Sequence, residues 1–289
     1  MAAPRQLHPN LVDVRPLRWP CVTGTWGPTD EIIPARPAAT VMLVRDANPG
    51  VEVFVLRRTS GAAFAAGMFV FPGGRVDDAD GGEAIEPFVH GMDDATASDL
   101  LGIERGGLAF WVAAIRESFE ESGVLIAHAR RGGPPPAMDA ERDAVHRNEL
   151  SMIELCRRHD LVLDAGSLRY VAHWVTPVGE TPRRFDTRFF LAVAPAGQVG
   201  VHDDGETVDS RWVRPGDALR DVERGELLML PPTMANLRFL EGCARAEDAI
   251  AKADAAGRPP RIQPKIRRGA DGVFVGLAMP GDPDYDELT

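Results

Sequence analysis

At 289 residues, with 44% hydrophobic and 26% charged residues, the chain is long enough to bury a large core and has the balance of a globular protein. A formal net charge of −11 argues against nucleic acid and anionic membrane as partners, because both would repel it on average. No apolar run approaches the roughly 18 residues of a membrane span, and the three cysteines, Cys21, Cys156 and Cys243, are too scattered for a disulfide framework or a structural zinc site.

These features, with no export signal apparent at the N-terminus, point to a reducing cytoplasm. Residues 1–37 are interrupted by Pro4, Pro9 and Pro16 and read as an irregular arm, with Trp19 and Trp26 as anchors onto the body. The runs "AATVMLVRD" (38–46) and "VEVFVLRR" (51–58), separated by "ANPG", predict a hairpin. "MFVFPGG" (68–74) predicts a short strand broken by Pro72, and "RVDDADGGEAIEP" after it reads as irregular and turn-rich. Between Gly106 and Ile126, Leu108, Trp111, Val112, Ile115 and Phe119 recur at spacings of three and four, which predicts an amphipathic helix ending near Gly123.

Residues 138–160 predict one or two helices, and strands are expected over 169–177, 183–194 and 207–213. A short helix opens at Pro215, and Thr233 is the expected N-cap of a helix running to about Gly257. "FVGLAMPG" suggests a last strand. His128, His173 and His202 stand isolated, which disfavours zinc or histidine-based catalysis. Trp174, Phe189 and Phe190 read as core, and Ser122 lacks the G-x-S-x-G context of a nucleophile.

The segment "AAIRESFEESGVLIA" (113–127) poses the sharpest question. On a helix Glu117, Glu120 and Glu121 lie at i, i+3 and i+4 and face nearly the same way, so their charges repel and call for a cation. Clustered hard oxygen ligands suit Mg²⁺ or Mn²⁺. A solvated face on which Arg116 pairs with Glu120 is the ordinary reading of such a run. The order Arg116-Glu117-x-x-Glu120-Glu121-x-Gly123-Val124, with "VFPGG" upstream, decides against it.

That order resembles the second half of the Nudix box, the signature G-x5-E-x7-R-E-U-x-E-E-x-G-U in which U is apolar. Gly74 is then the opening glycine and Asp80 replaces the usual glutamate. Asp80 and Arg116 are 116 − 80 = 36 positions apart where the pattern has 8, an insertion of 36 − 8 = 28 residues. Ser118 at the apolar position is a further departure. The insertion, "VFVLRRTSGAAFAAGMFVFPGGRVDDAD" and "WVTP...RRFDTRFFLA" also resemble the Nudix branch that includes the peroxisomal acyl-coenzyme A diphosphatases, over roughly residues 38–215.

The resemblance implies an α/β fold, an α/β/α sandwich around a mixed sheet with an insertion in the box and a C-terminal helical extension. The expected division is an arm at 1–37, a Nudix domain at 38–229 with the insertion at about 81–107, and an extension at 230–289 packed on the same domain. It implies Mg²⁺ or Mn²⁺ held by Glu117, Glu120, Glu121 and the Gly74 carbonyl, with Arg116 orienting the cluster. Glu206 resembles a distal glutamate that binds metal or takes a proton from water, and an ordinary solvated turn residue is an equal reading for it. Arg57 and Arg58, then Arg183 and Arg184, are the candidates for contact with substrate phosphate.

The implied reaction is hydrolysis of a diphosphate in a nucleoside diphosphate derivative, with divalent ions neutralising its charge and lowering the pKa of water. The leading substrate is coenzyme A or acyl-coenzyme A, cleaved to 3',5'-ADP and a phosphopantetheine. The alternatives are ADP-ribose, NADH or an oxidised nucleotide, or a nucleotide-binding sensor without turnover. Family members are often homodimers, and no interface is legible in this sequence.

Overall fold

The computed structural model describes residues 33–62, 64–179, 183–203 and 205–288, so the expected arm up to residue 32, with Trp19, Trp26 and Cys21, lies outside the described residues. β1 (Ala35–Asp46) and β2 (Val51–Arg58) form the expected antiparallel hairpin. β3 (Phe69–Val70) and β4 (Gly73–Arg75) are the two pieces left by the break at Pro72. Two 3-10 turns, Asp78–Asp80 and Glu86–Phe88, then lead to α1 (Asp94–Leu101), which lies inside the insertion, and to the box helix α2 (Leu108–Ser122).

β5 (Ala127–Ala129), α3 (Asp139–His146), α4 (Met152–His159) and β6 (Leu161–Leu163) follow. The three expected strands are β7 (Arg169–Val175), β8 (Arg184–Val193) and β9 (Thr207–Val213), and α5 (Pro215–Glu223) opens on its proline. α6 (Pro231–Leu240), α7 (Ala246–Ala256), β10 (Arg261–Ile262), β11 (Lys265–Arg268) and β12 (Phe274–Ala278) complete the chain.

The main sheet has the order β10-β7-β8-β1-β2-β3, with β4 pairing along the first half of β1 and β9 pairing β2. β1 is parallel to β8 and β10 to β7, while the remaining pairs are antiparallel. Period-two alternation divides the core. Val41, Leu43, Phe54 and Leu56 face α2, and Met42, Val44, Val53 and Val55 face the layer of α5, α6 and α7. All eight are fully buried, and each such side chain contributes roughly 1.5–3 kcal/mol by leaving water. The result is the α/β/α sandwich around a mixed sheet.

Two expectations are overturned. Thr233 is not an N-cap: it is 3% exposed within α6, whose extended N-cap is Leu230 and whose first turn carries proline. Pro231 and Pro232 have φ values already suited to a helix start, so they move the boundary ahead of Thr233. The expected single helix is also two, because Glu241 turns extended at ψ 139° before α7 begins.

Candidate active site

α2 buries the stripe Leu108, Trp111, Val112, Ile115 and Phe119 against the sheet, and this fixes where its glutamates point. Its C-terminal cap is Gly123 at φ 71°, a left-handed conformation that a Cβ would strain, and the Gly123 N–H donates to the Phe119 carbonyl at 2.9 Å. Ser118, the polar departure from the box pattern, is wholly buried, and its hydroxyl donates to the Val124 carbonyl at 2.8 Å. It therefore costs no unsatisfied group.

Arg116 gathers three carboxylates, those of Asp80, Glu117 and Glu120. The Arg116 Nε and Nη2 donate to the two Asp80 oxygens at 2.8 and 2.9 Å, a bidentate fork, and Nη2 also donates to the Arg75 carbonyl at 2.8 Å. Nη1 donates to Glu117 at 2.9 Å and to Glu120 at 3.2 Å. Asp80 is 2% exposed and accepts a further bond from the Asp77 N–H. Burial opposes the charge on Arg116, but the carboxylates outweigh it and raise its pKa.

Of the three glutamates Glu121 lies deepest, at 4% exposure, and its Oε2 accepts from the Gly73 N–H at 2.9 Å. Arg58 links it outward, with Nη1 3.8 Å from Glu121 and Nη2 3.4 Å from Glu206, while Arg58 Nε is buried without a partner. Gly74 backs directly onto Glu117: a Cβ there would lie 2.4 Å from a Glu117 oxygen.

This crowding is electrostatically uphill. Burial, then the neighbouring Glu120 and Asp80, push Glu117 up to about 8 against the pull of Arg116. Burial raises Glu120, and burial with the Glu117 charge raises Glu121 well above the carboxylate range despite Gly73 and Arg58. Among the described residues no three His, Cys, Asp or Glu side chains already converge as a metal cage. Arg116 sits between Glu117 and Glu120, and Glu121 turns to Gly73. The donor set is nevertheless all oxygen, buried and short of positive charge, which fits a hard divalent cation and not a soft one.

The sequence candidates divide by position. Glu117, Glu120, Glu121, Arg116, Gly74 and Arg58 come together, and Glu206 joins them at the outer end of Arg58. Arg57 does not: it is exposed, and alternation along β2 sends it to the opposite face from Arg58. Arg184 is buried and donates to the carbonyls of Ile33, Thr176 and Pro177, a structural task.

Two contributors escaped the sequence reading. Asp203 accepts from the Glu206 and Thr207 backbone N–H groups and shapes the Glu206 turn. Asp94 of α1 accepts from the Leu108 and Gly106 N–H groups and so caps α2. "DDGET" could have signalled the first through its turn composition. Nothing local signals the second.

Comparison with known proteins agrees with this geometry. The NUDT19 Nudix domain model matches residues 92–240, which includes Arg116, the α2 glutamates and Glu206 and begins after Asp80. The acyl-coenzyme A diphosphatase NUDT19 of Homo sapiens is 29% identical over 276 residues, covering 82% of this chain and 73% of that protein. Its Gallus gallus namesake is 29% identical over 308 residues, covering 87% and 80%. The crystal structure of a NUDIX hydrolase from Alicyclobacillus acidocaldarius superposes with a TM-score of 0.65 at 31% identity, covering 76% of this chain and 97% of that one. The chain belongs to the family described by the NUDT19 Nudix domain and is a Nudix hydrolase, an enzyme that cleaves diphosphate linkages.

Proposed function

We propose that the protein hydrolyses the diphosphate of coenzyme A or an acyl-coenzyme A, releasing 3',5'-ADP and phosphopantetheine or its acyl form. The observation that carries the reading is the buried carboxylate face of α2, organised by one arginine, in a chain whose relatives are named acyl-coenzyme A diphosphatases. Glu117, Glu120, Glu121 and the Gly74 carbonyl would hold Mg²⁺ or Mn²⁺, which when bound offsets the negative charge that protects a diphosphate from attack.

Arg116 is assigned the positioning role, tying Asp80 on the loop to Glu117 and Glu120 on the helix. Arg58, with an unpartnered buried Nε, is assigned to a phosphate oxygen. Glu206 is the assigned proton acceptor: its side chain is 57% exposed, so water reaches it, and Arg58 joins it to Glu121. As the water oxygen bonds to phosphorus and the bridging P–O bond breaks, the water proton passes to Glu206. The free thiols Cys156 and Cys243 accord with a reducing compartment, and we place the enzyme in the cytoplasm.

The test offers the purified protein coenzyme A, an acyl-coenzyme A, ADP-ribose, NADH and oxidised dGTP with Mg²⁺ or Mn²⁺, and separates the products by chromatography. Release of 3',5'-ADP with far higher efficiency than any other product is expected. Preference for another substrate discards the coenzyme A assignment, and binding without turnover favours a sensor.

A further inference from the structure

The sheet carries a second polar cluster that the proposed chemistry does not use. In one row of strand partners, Arg261 of β10 lies opposite His173 of β7, His173 opposite Arg188 of β8, Arg188 opposite Ala39 of β1, and Ala39 opposite Gly74 of β4. Paired residues project to the same face of a sheet. Here that face is the α2 side: the Arg188 guanidinium lies 5.2 Å from the Phe110 ring centre, Ala39 belongs to the α2-side core, and Gly74 abuts Glu117. With strands about 4.8 Å apart, Arg188 stands on the order of 10 Å from Gly74.

At the far end of this row is a cavity of about 500 Å³ lined by Arg188, Arg258, Arg261, Tyr170, His173 and Asp186, with the C-terminal end of α1 as one wall. Three guanidiniums face one lining carboxylate, Asp186. The His173 Nε2 lies 2.7 Å from an Asp186 oxygen, and burial, then Arg188, Arg261 and Arg258, push its pKa down to about 3. The cavity therefore has a positive surplus in a chain of net charge −11.

Arg188 is 6% exposed, and its Nε is buried without a hydrogen-bond partner. Its Nη1 is shared between Asp186 and His173. Arg258 donates one Nη2 bond to the Leu101 carbonyl at 2.8 Å, which fixes it against the end of α1 while it lines the cavity. Arginine forks match the spacing of phosphate oxygens and retain their charge when desolvated.

We propose that this cavity is a phosphomonoester subsite, in which Arg188, Arg258 and Arg261 bind a terminal phosphate of the substrate remote from the diphosphate that is cleaved. The inference rests on the proposed substrate, whose 3'-phosphate is such a group. It also gives the insertion a task, since α1 supplies a wall of the cavity and makes the inserted segment a selector of substrates that carry the second phosphate.

The test compares kcat/KM for coenzyme A and for dephospho-coenzyme A, which has the same diphosphate and lacks the 3'-phosphate, in wild-type, Arg261→Gln and Arg258→Gln proteins. Arg261 and Arg258 are exposed, so their replacement leaves the core in place. The wild type is expected to prefer coenzyme A by about tenfold or more, and each variant to lose most of that ratio. A purely structural loss would lower both rates together and leave the ratio standing.

A calorimetric titration of 3',5'-ADP against 5'-AMP reads the same subsite without turnover, and the expected preference for 3',5'-ADP should shrink about tenfold in the variants. Equal kcat/KM for the two substrates in the wild type, or ratios that both variants preserve, would overturn the subsite while leaving diphosphate hydrolysis intact. If the wild type cleaves neither substrate, the proposed reaction fails and the titration alone decides. A 3',5'-ADP preference lost in the variants then sustains the subsite, and equal affinities end it.

Discussion

Asp80 and Arg116 are 36 positions apart in the chain and meet through two hydrogen bonds of 2.8 and 2.9 Å. The helical spacing of Glu117, Glu120 and Glu121 already required one crowded face, and the structure adds how the crowding is relieved. Arg116 serves two of the glutamates, and Gly73 serves the third. Arg57 and Arg58 show the limit of a sequence reading at this scale. Alternation says that neighbours in a strand face opposite ways, but which one meets the site depends on which face α2 covers.

His173 gives a prediction of its own. Its folded pKa is lowered to about 3 from an ordinary 6.5, so between those values the unfolded chain binds a proton that the folded protein refuses. Its stabilising contribution is complete above pH 6.5 and is lost as pH falls toward 3, with a slope of up to about 1.4 kcal/mol per pH unit. Urea unfolding over this range should show stability falling with acid, and His173→Gln should flatten that fall. Parallel profiles for the two proteins would contradict it.

At the scale of elements, the long periodic helix and the β-branched runs were readable because each announces itself within a dozen residues. α1 was missed, and so were β5, β6, β10 and β11, which are two to four residues long and exist because a partner strand lies beside them. α1 matters to the site through a contact that no local pattern encodes. The N-cap of α2, Gly107, has no side chain to offer, and Asp94, 14 positions upstream of Leu108, supplies the missing acceptor to the Leu108 N–H.

Asp94→Ala should therefore cost about 1–2 kcal/mol, as loss of a helix cap does. For a chain of this size that is a drop of a few degrees in Tm, while Asp99→Ala, at an exposed site on the same helix, should stay near the wild type. Thermal melts of the two variants check this. An equal loss in both would mean that the effect lies in the propensity of α1 and not in the cap on α2.

At the scale of the whole molecule, the sheet brings two chemistries to one face. Glu117 of α2 backs onto Gly74, and Arg188, Arg258 and Arg261 line the cavity, with Ala39 between Gly74 and Arg188 in the row. The family resemblance carried in ten or so residues of the box implied the sandwich, and the alternating strands were compatible with it. The arginine cavity was not legible, because Arg188 of β8 lies far upstream of Arg258 and Arg261, which sit together after α7, and no motif marks any of them. No described helix is long and apolar enough to cross a membrane.

We propose that the crowded glutamates of α2 are there to hold a divalent cation, and calorimetric titration of Mn²⁺ into wild-type and Glu121→Gln proteins decides it. The wild type is expected to bind Mn²⁺ and to gain about 2.7 kcal/mol of stability at a hundred times Kd. Glu121→Gln, folded by circular dichroism, should bind at least tenfold more weakly. No binding by the wild type, or equal affinity in the two proteins, would mean that the glutamates serve Arg116 and Gly73 alone, and would contradict the account.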